Sequence, residues 1–284
     1  MEVFREALAL IESGRKGALA TVIGARGSTP GKESAKMLVR DDGSTVGTIG
    51  GGCTEAEVWT LAREVMETDR PLRRSFKLTP QAAAEEGLAC GGIVEIFIEP
   101  IGNPTVVVFG AGHIARMLMP LLKLVGFNTK VVDDREQFAN AVHFPDAGQI
   151  VVSSFETCFE KVSITPSTYV VIVTRGHRYD QLVLSKSLDT SAQYVGLIGS
   201  KAKMIRIFRL LLAEGKSEER LRQVKCPIGL DIGARTPEEI ALSIAAQLVA
   251  FRRRAFMKGK DPDRLLEPGP LYIDLAAAQA DPDA

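Results

Sequence analysis

The pattern of apolar and polar positions changes character near Asn103. Before it, short alternating runs are separated by turns rich in glycine and aspartate. After it, β-branched runs alternate with segments of helical period, the pattern of a parallel sheet covered by helices. Val106–Phe109 is a continuous apolar run and predicts a buried parallel strand. Ile114, Leu118, Leu121, Leu122 and Val125 recur at helical spacing until Gly126, and Thr129–Val132 predicts the next strand. Further strands are expected at Gln149–Ser153, Thr168–Thr174 and Gln193–Ile198, with helices at Tyr179–Leu188, Ala202–Ala213 and Ile240–Arg254. Thr236, Pro237 and the Glu238–Glu239 pair form a strong start for the last helix, with Ala241, Ile244, Ala245, Leu248 and Val249 inward.

The first hundred residues read differently. Val3–Ser13 predicts an amphipathic helix with Phe4, Ala7, Leu8 and Ile11 on its inner face. Strands follow at Ala18–Ile23, Ala35–Val39 and Thr45–Ile49, then a helix over Thr54–Thr68, then strands at Arg73–Leu78 and Ile93–Glu99. The expected class is α/β. A smaller N-terminal α+β domain spans residues 1–102, a Rossmann-like nucleotide-binding domain spans 103–258, and a tail rich in Pro, Asp and Ala spans 259–284 as a surface arm.

The strand at Val106–Phe109 runs into Gly110-Ala111-Gly112-His113-Ile114-Ala115, a GxGxxA loop. In a dinucleotide-binding βαβ unit, Gly110 permits the tight turn and Gly112 lets a phosphate approach the backbone. Ala115 lets the helix lie close to the strand, and the helix amides face the anion. Asp133 falls roughly 20 residues later, where a carboxylate can accept from ribose hydroxyls. Strand, loop, helix, strand and acid in that order point to a nucleotide or nucleotide-like ligand.

Other loops carry chemistry too. Arg26 opens a turn rich in glycine and hydroxyls, either a plain turn or an anion-wrapping loop. Gly50-Gly51-Gly52 delivers Cys53 to the first turn of a helix, where a thiol tends toward the thiolate; a small buried Cys in a tight strand-to-helix turn is the alternative. Cys90 is a second cysteine beside glycines, able to converge with Cys53 on one ligand or to be an unrelated core thiol. At the end of Thr168–Thr174 lie Arg175, His177 and Asp180. They form either an acid/base and ligand-contact set, or a capping loop with Asp180 as cap and His177 in solvent. No His, Cys and carboxylate cluster has metal-ligand spacing.

Composition narrows the partners. Lys plus Arg equals Asp plus Glu at 35 each, so no basic surplus favours nucleic acid or an anionic membrane. No run reaches the roughly 18 apolar residues of a membrane span. The acidic, helix-patterned N-terminus is unlike a secretory signal, and four cysteines without paired spacing fit a reducing cytoplasm.

Seven motifs taken together resemble one family. They are RGSTP at Arg26–Pro30, GTIGGGCTE at Gly47–Glu55, LACGG at Leu88–Gly92, VVVFGAGHIA at Val106–Ala115, VTRGHRYD at Val173–Asp180, YVGLIGSKAK at Tyr194–Lys203, and CPIGLDIGARTPEEIALSIAAQLVA at Cys226–Ala250. In that order they resemble the XdhC/CoxI family of xanthine dehydrogenase accessory factors, over residues 1–256.

The resemblance implies a chaperone that binds molybdenum cofactor, supports replacement of a terminal oxo ligand by sulfur, and passes the cofactor to a molybdenum hydroxylase. It implies an accessory factor rather than a turnover catalyst. The implied partners are that client, a cysteine desulfurase and a second copy of the chain. The glycine-flanked cysteines of the family fall on Cys53, a possible molybdenum contact, and on Cys90. Gly51 and Gly52 flank the first, and the nucleotide loop falls on Gly110, Gly112 and Ala115. In this reading Arg26 and Arg175 pair with phosphate or pterin oxygens, while His177 and Asp180 read the pterin or move a proton. An NAD(P)-dependent oxidoreductase is the competing expectation from the glycine loop and Asp133, and a nucleotide-bound scaffold is a third.

Overall fold

A computed structural model describes residues 1–27, 29, 32–77 and 92–254, the side chain of Lys201 excepted. Cys90 and the tail from Gly259 lie outside the described residues. The chain divides into two compact units, Met1–Asn103 and a second beginning at Pro104.

The first unit comprises α1 (Glu2–Glu12), β1 (Gly17–Arg26), β2 (Lys36–Arg40), β3 (Thr45–Thr48), α2 (Gly52–Thr68), β4 (Leu72–Lys77) and β5 (Ile93–Ile101). Its strands form an antiparallel sheet in the order β3-β2-β1-β5-β4. Ala18, Ala20 and Val22 alternate along β1 and, with Ile96 and Ile98 of β5, meet Val58, Ala62 and Val65 of α2.

The helix α1 corrects one expectation. It buries Ala7 and Leu10 against Leu38, with Val3 packed alongside. Phe4, Leu8 and Ile11 are exposed, Leu8 at 56%. Val3, Ala7 and Leu10 also stand at i, i+4 and i+7, so the helix carries two apolar stripes. The smaller side chains of the buried one let α1 lie close to the sheet.

The second unit holds β6 (Thr105–Phe109), α3 (His113–Leu124), β7 (Asn128–Asp133), β8 (Gln149–Val152), β9 (Thr168–Ile172), α4 (His177–Leu188), β10 (Tyr194–Leu197), α5 (Lys201–Ala213), α6 (Glu218–Gln223) and α7 (Pro237–Arg252). All five strands are parallel, in the order β10-β9-β6-β7-β8. Numbered by appearance this is 5-4-1-2-3, the Rossmann order, and the switch point lies between β6 and β9. Val107 and Phe109 of β6 face a core completed by α4 and α5. Val106 and Val108 face the opposite core, completed by α3 and α7. Both faces are covered, which explains the uninterrupted apolar run.

Two polar devices secure α7. Thr236 caps it as expected, and Glu239 returns the bond to the Thr236 amide, completing a capping box. Gln247 is fully buried: its Oε1 accepts from the Tyr194 hydroxyl at 2.6 Å and from the Gly229 amide at 2.9 Å. A buried amide so satisfied fixes one helix rotation against β10.

At the switch point Gly110 has φ of +110°, and a Cβ there would stand 2.4 Å from the Val173 carbonyl oxygen. Gly112 is different: nothing lies within 4 Å of the position its Cβ would take. Gly110→Ala should therefore cost roughly 2–4 kcal/mol of stability through backbone strain and overlap. Gly112→Ala should change stability by less than about 1 kcal/mol. Urea unfolding of the two variants, followed by circular dichroism, checks the contrast.

Candidate functional site

In the second unit the loops after β6, β7, β9 and β10 leave the sheet at one edge, since Phe109 stands beside both Val132 and Ile172. Gly110–Gly112 lies there with the start of α3, whose N-cap is Gly112 and whose first turn carries no side-chain cap. Ala115 is fully buried, as a close helix–strand approach requires. His113 is exposed at the first position of α3. An anion above Gly112 would meet open backbone and uncapped amides.

The acids at this edge are not open. Asp133 is 1% exposed. Its Oδ2 accepts from the Ala111 amide at 2.8 Å, and Arg135 grips both oxygens, Nε to Oδ1 at 2.8 Å and Nη2 to Oδ2 at 3.0 Å. This carboxylate, expected to receive ribose hydroxyls, is instead spent on shaping the glycine loop. Asp134 is held by a fork from Arg175, with Nη2 to Oδ2 at 2.8 Å. The hydrogen bonds from Arg175 hold the Asp134 carboxyl below its ordinary value, and the same pairing raises Arg175. Arg135 lies 4.0 Å over the Phe138 ring, and Arg175 lies 4.5 Å over Tyr179. The rim beside the glycine loop thus presents two ring-stacked guanidiniums, each already paired with a carboxylate.

His177 and Asp180 both belong to α4, but the structure separates their roles. His177 is exposed at the helix start. Asp180 is fully buried, accepts from the Thr174 hydroxyl at 2.6 Å and is paired with Lys203 of α5. It is neither a cap nor an open acid. It ties the end of β9 to α4 and α5, because a buried carboxylate needs a partner charge. Lys203 is the last residue of the YVGLIGSKAK motif, and only the fold brings it to Asp180.

In the first unit, register places Arg26 opposite Ile93, while Thr21 and Thr48 both stand level with Lys36. The ends of β1 and β3 and the beginning of β5 therefore share one end of the sheet. The glycine-cysteine loop and Arg26 emerge there together. Arg26 is exposed and close enough to Glu95 to help hold that carboxyl below its usual value, after Arg73, the larger cause.

Gly50, Gly51 and Gly52 have φ of +129°, +82° and +68°. Three consecutive left-handed residues are open only to glycine at low cost. They turn amides inward, and Glu55 fills the resulting pocket: its Oε1 accepts from the Thr48 hydroxyl and from the Ile49 and Gly51 amides at 2.9 Å each. Cys53 is the second residue of α2 and is exposed, so the buried-cysteine alternative does not hold. Sequence spacing does not single out Glu55, although it is the last residue of the GTIGGGCTE motif. Among the described residues, no group of three or more His, Cys, Asp or Glu could hold a metal, and no helix is long and apolar enough to cross a membrane.

Desolvation works to raise the Glu55 carboxyl, but the Thr48 hydroxyl and the loop amides outweigh it, and the net direction is down. A carboxyl lowered in the folded state stabilises the loop above its unfolded value, and this is lost as pH falls through the lower folded value. Amide exchange at Ile49 and Gly51 should be protected at neutral pH and lose protection only below the ordinary glutamate range. Glu55→Gln should speed exchange there by about 10–100-fold at neutral pH, the loss of charge-assisted bonds. Hydrogen exchange with mass spectrometry reads both effects.

With this geometry in place, known proteins provide a frame. Escherichia coli (strain K12) YqeB, an uncharacterised protein, is 34% identical over 257 residues, covering 90% of this chain and 47% of YqeB. This chain therefore spans about half the length of that relative. A Bacillus subtilis (strain 168) protein described as a probable xanthine dehydrogenase subunit is 23% identical, with 87% of this chain and 96% of that protein covered. The E. coli molybdenum cofactor insertion chaperone PaoD is 22% identical, covering 88% of each chain. Residues 10–77 match the XdhC and CoxI family, and residues 106–248, half of the chain, match the XdhC Rossmann domain. The parallel sheet with its glycine loop and the glycine-cysteine unit before it thus belong to a member of the XdhC family.

Proposed function

We propose that this chain is an accessory protein that holds molybdenum cofactor and supports its sulfuration and insertion into a molybdenum hydroxylase of the xanthine dehydrogenase type. The observation that carries the reading is Cys53, held exposed at the start of α2 by three left-handed glycines. A thiol at a helix N-terminus tends toward thiolate, and thiolate is a soft ligand suited to a molybdenum centre. The insertion chaperone PaoD and the B. subtilis relative support the same assignment through shared family.

The residues present fit such a group. A Cβ at Gly51 or at Gly112 would meet nothing within 4 Å, so neither backbone is screened from an approaching ligand. Gly112 and the α3 amides would take a phosphate, with Arg175 and Arg135 at the rim, and Arg26 would pair with an oxygen of a ligand held by the first unit. His177, exposed, would contact a ligand at the strand-end edge. Cys90 would be the second thiol. Molybdenum cofactor, when bound, supplies a metal whose terminal oxo ligand is exchanged for sulfur. This chain's part is to bind and orient it, with a cysteine desulfurase as sulfur source, a hydroxylase as recipient and a second copy of the chain as partner. The glycine loop equally suits a separate phosphate-bearing nucleotide, and the engagement of Asp133 disfavours recognition through a ribose diol.

Cys53→Ser should lower molybdenum retained per chain by about tenfold or more after anaerobic loading, with activation of the client hydroxylase falling in parallel. Metal analysis after gel filtration and a client activation assay read the two quantities. Unchanged loading and unchanged activation in this variant would overturn the thiolate role.

A further inference from the structure

A second concave site lies on the other side of the Rossmann sheet from α3. It is a cleft of about 640 Å³ between the start of α4 and the helix α5. The helices α4 and α5 pack on the sheet face that carries Val107 and Phe109, whereas α3 of the glycine loop packs on the face of Val106 and Val108.

Helical spacing sorts the cleft lining into two ends. His177 and Arg178 of α4 face Lys203 and Arg206 of α5, and one turn further along α5 come Ile207 and Leu210. Lys203 is matched by the buried Asp180. Arg178 and Arg206 are exposed, and among the described residues neither is paired with a carboxylate. Of the acids hydrogen-bonded to this lining, Asp180 is spent on Lys203, and Glu214 accepts from Gln181 at 2.9 Å. The polar end therefore carries two unmatched guanidiniums beside an imidazole. The first turn of α4 adds amides with no side-chain cap. At the other end Ile207 is buried, while Leu210, which lines the cleft, is 43% exposed.

We propose that this cleft binds a small organic phosphate. The phosphoryl group would lie among Arg178, Arg206 and His177, and the carbon body on Ile207 and Leu210. Two unmatched guanidiniums select a dianion over a monoanion, and each supplies parallel N–H donors that fit phosphoryl oxygens. The exposed leucine selects an ester with an apolar body over inorganic phosphate. The site is separate from the glycine loop and Cys53, and of the residues given to the cofactor it draws only on His177.

The test is calorimetric titration of the full chain with phenyl phosphate and with inorganic phosphate at low salt. Phenyl phosphate should bind at least about tenfold more tightly than inorganic phosphate, and Leu210→Ser should abolish that preference. The double variant R178Q/R206Q should weaken both ligands by about tenfold or more, since charge-assisted bonds dominate. Both arginines are exposed, so an unchanged thermal unfolding profile confirms that the double variant is folded. Gly112→Val, which fills the opening above the glycine loop, should leave unchanged the tight phenyl phosphate binding that the double variant removes. Failure of wild-type protein to bind phenyl phosphate at millimolar concentration would overturn the proposal. So would full binding by the double variant, or binding lost in Gly112→Val.

Discussion

The second unit depends on the close passage of two backbones at the switch point. Gly110 leaves β6 at a positive φ and runs against the Val173 carbonyl, where no side chain fits. That contact sets the height at which the glycine loop leaves the sheet. The Ala111 amide then reaches the buried Asp133 carboxylate, and Arg135 closes on the same group. Each step requires the one before it, since the carboxylate is stable in the interior only with those donors in place. The loop that an anion would meet is rigid because an acid beneath it is satisfied.

The first unit solves a similar problem with the opposite arrangement. The glycine turn brings the Ile49 and Gly51 amides toward one point, and such a concentration of N–H groups needs an anion. Glu55, from the helix that the glycines introduce, supplies it. The loop and the start of α2 are thus locked together, and Cys53 stands outside the lock, exposed. One short motif contains the turn, the thiol and the carboxylate that stabilises the turn.

Charge in the second unit is arranged as links between elements. Arg175 joins Asp134 across the loops after β7 and β9, and Lys203 joins Asp180 across α4 and α5. These acids are consumed internally, while Arg178 of α4 and Arg206 of α5 stay exposed without a paired carboxylate among the described residues. An equal total of acidic and basic residues therefore coexists with a locally cationic cleft between α4 and α5.

Local order was legible in the chain. The alternation of β-branched runs with helical periods specified a parallel sheet, because strands covered on both faces must be apolar throughout. The glycine loop, the capped start of α7 and the placement of Cys53 at a helix start followed from spacing of a few residues. The Rossmann class and the family were recoverable from such motifs. What spacing could not decide was partnership across distance. Whether Asp133 faces a ribose or an arginine, whether Asp180 caps a helix or pairs with Lys203, and which stripe of α1 faces the sheet depend on side chains from other elements. Those choices are made when the elements pack, because a buried charge takes whichever partner the tertiary structure brings within hydrogen-bonding reach.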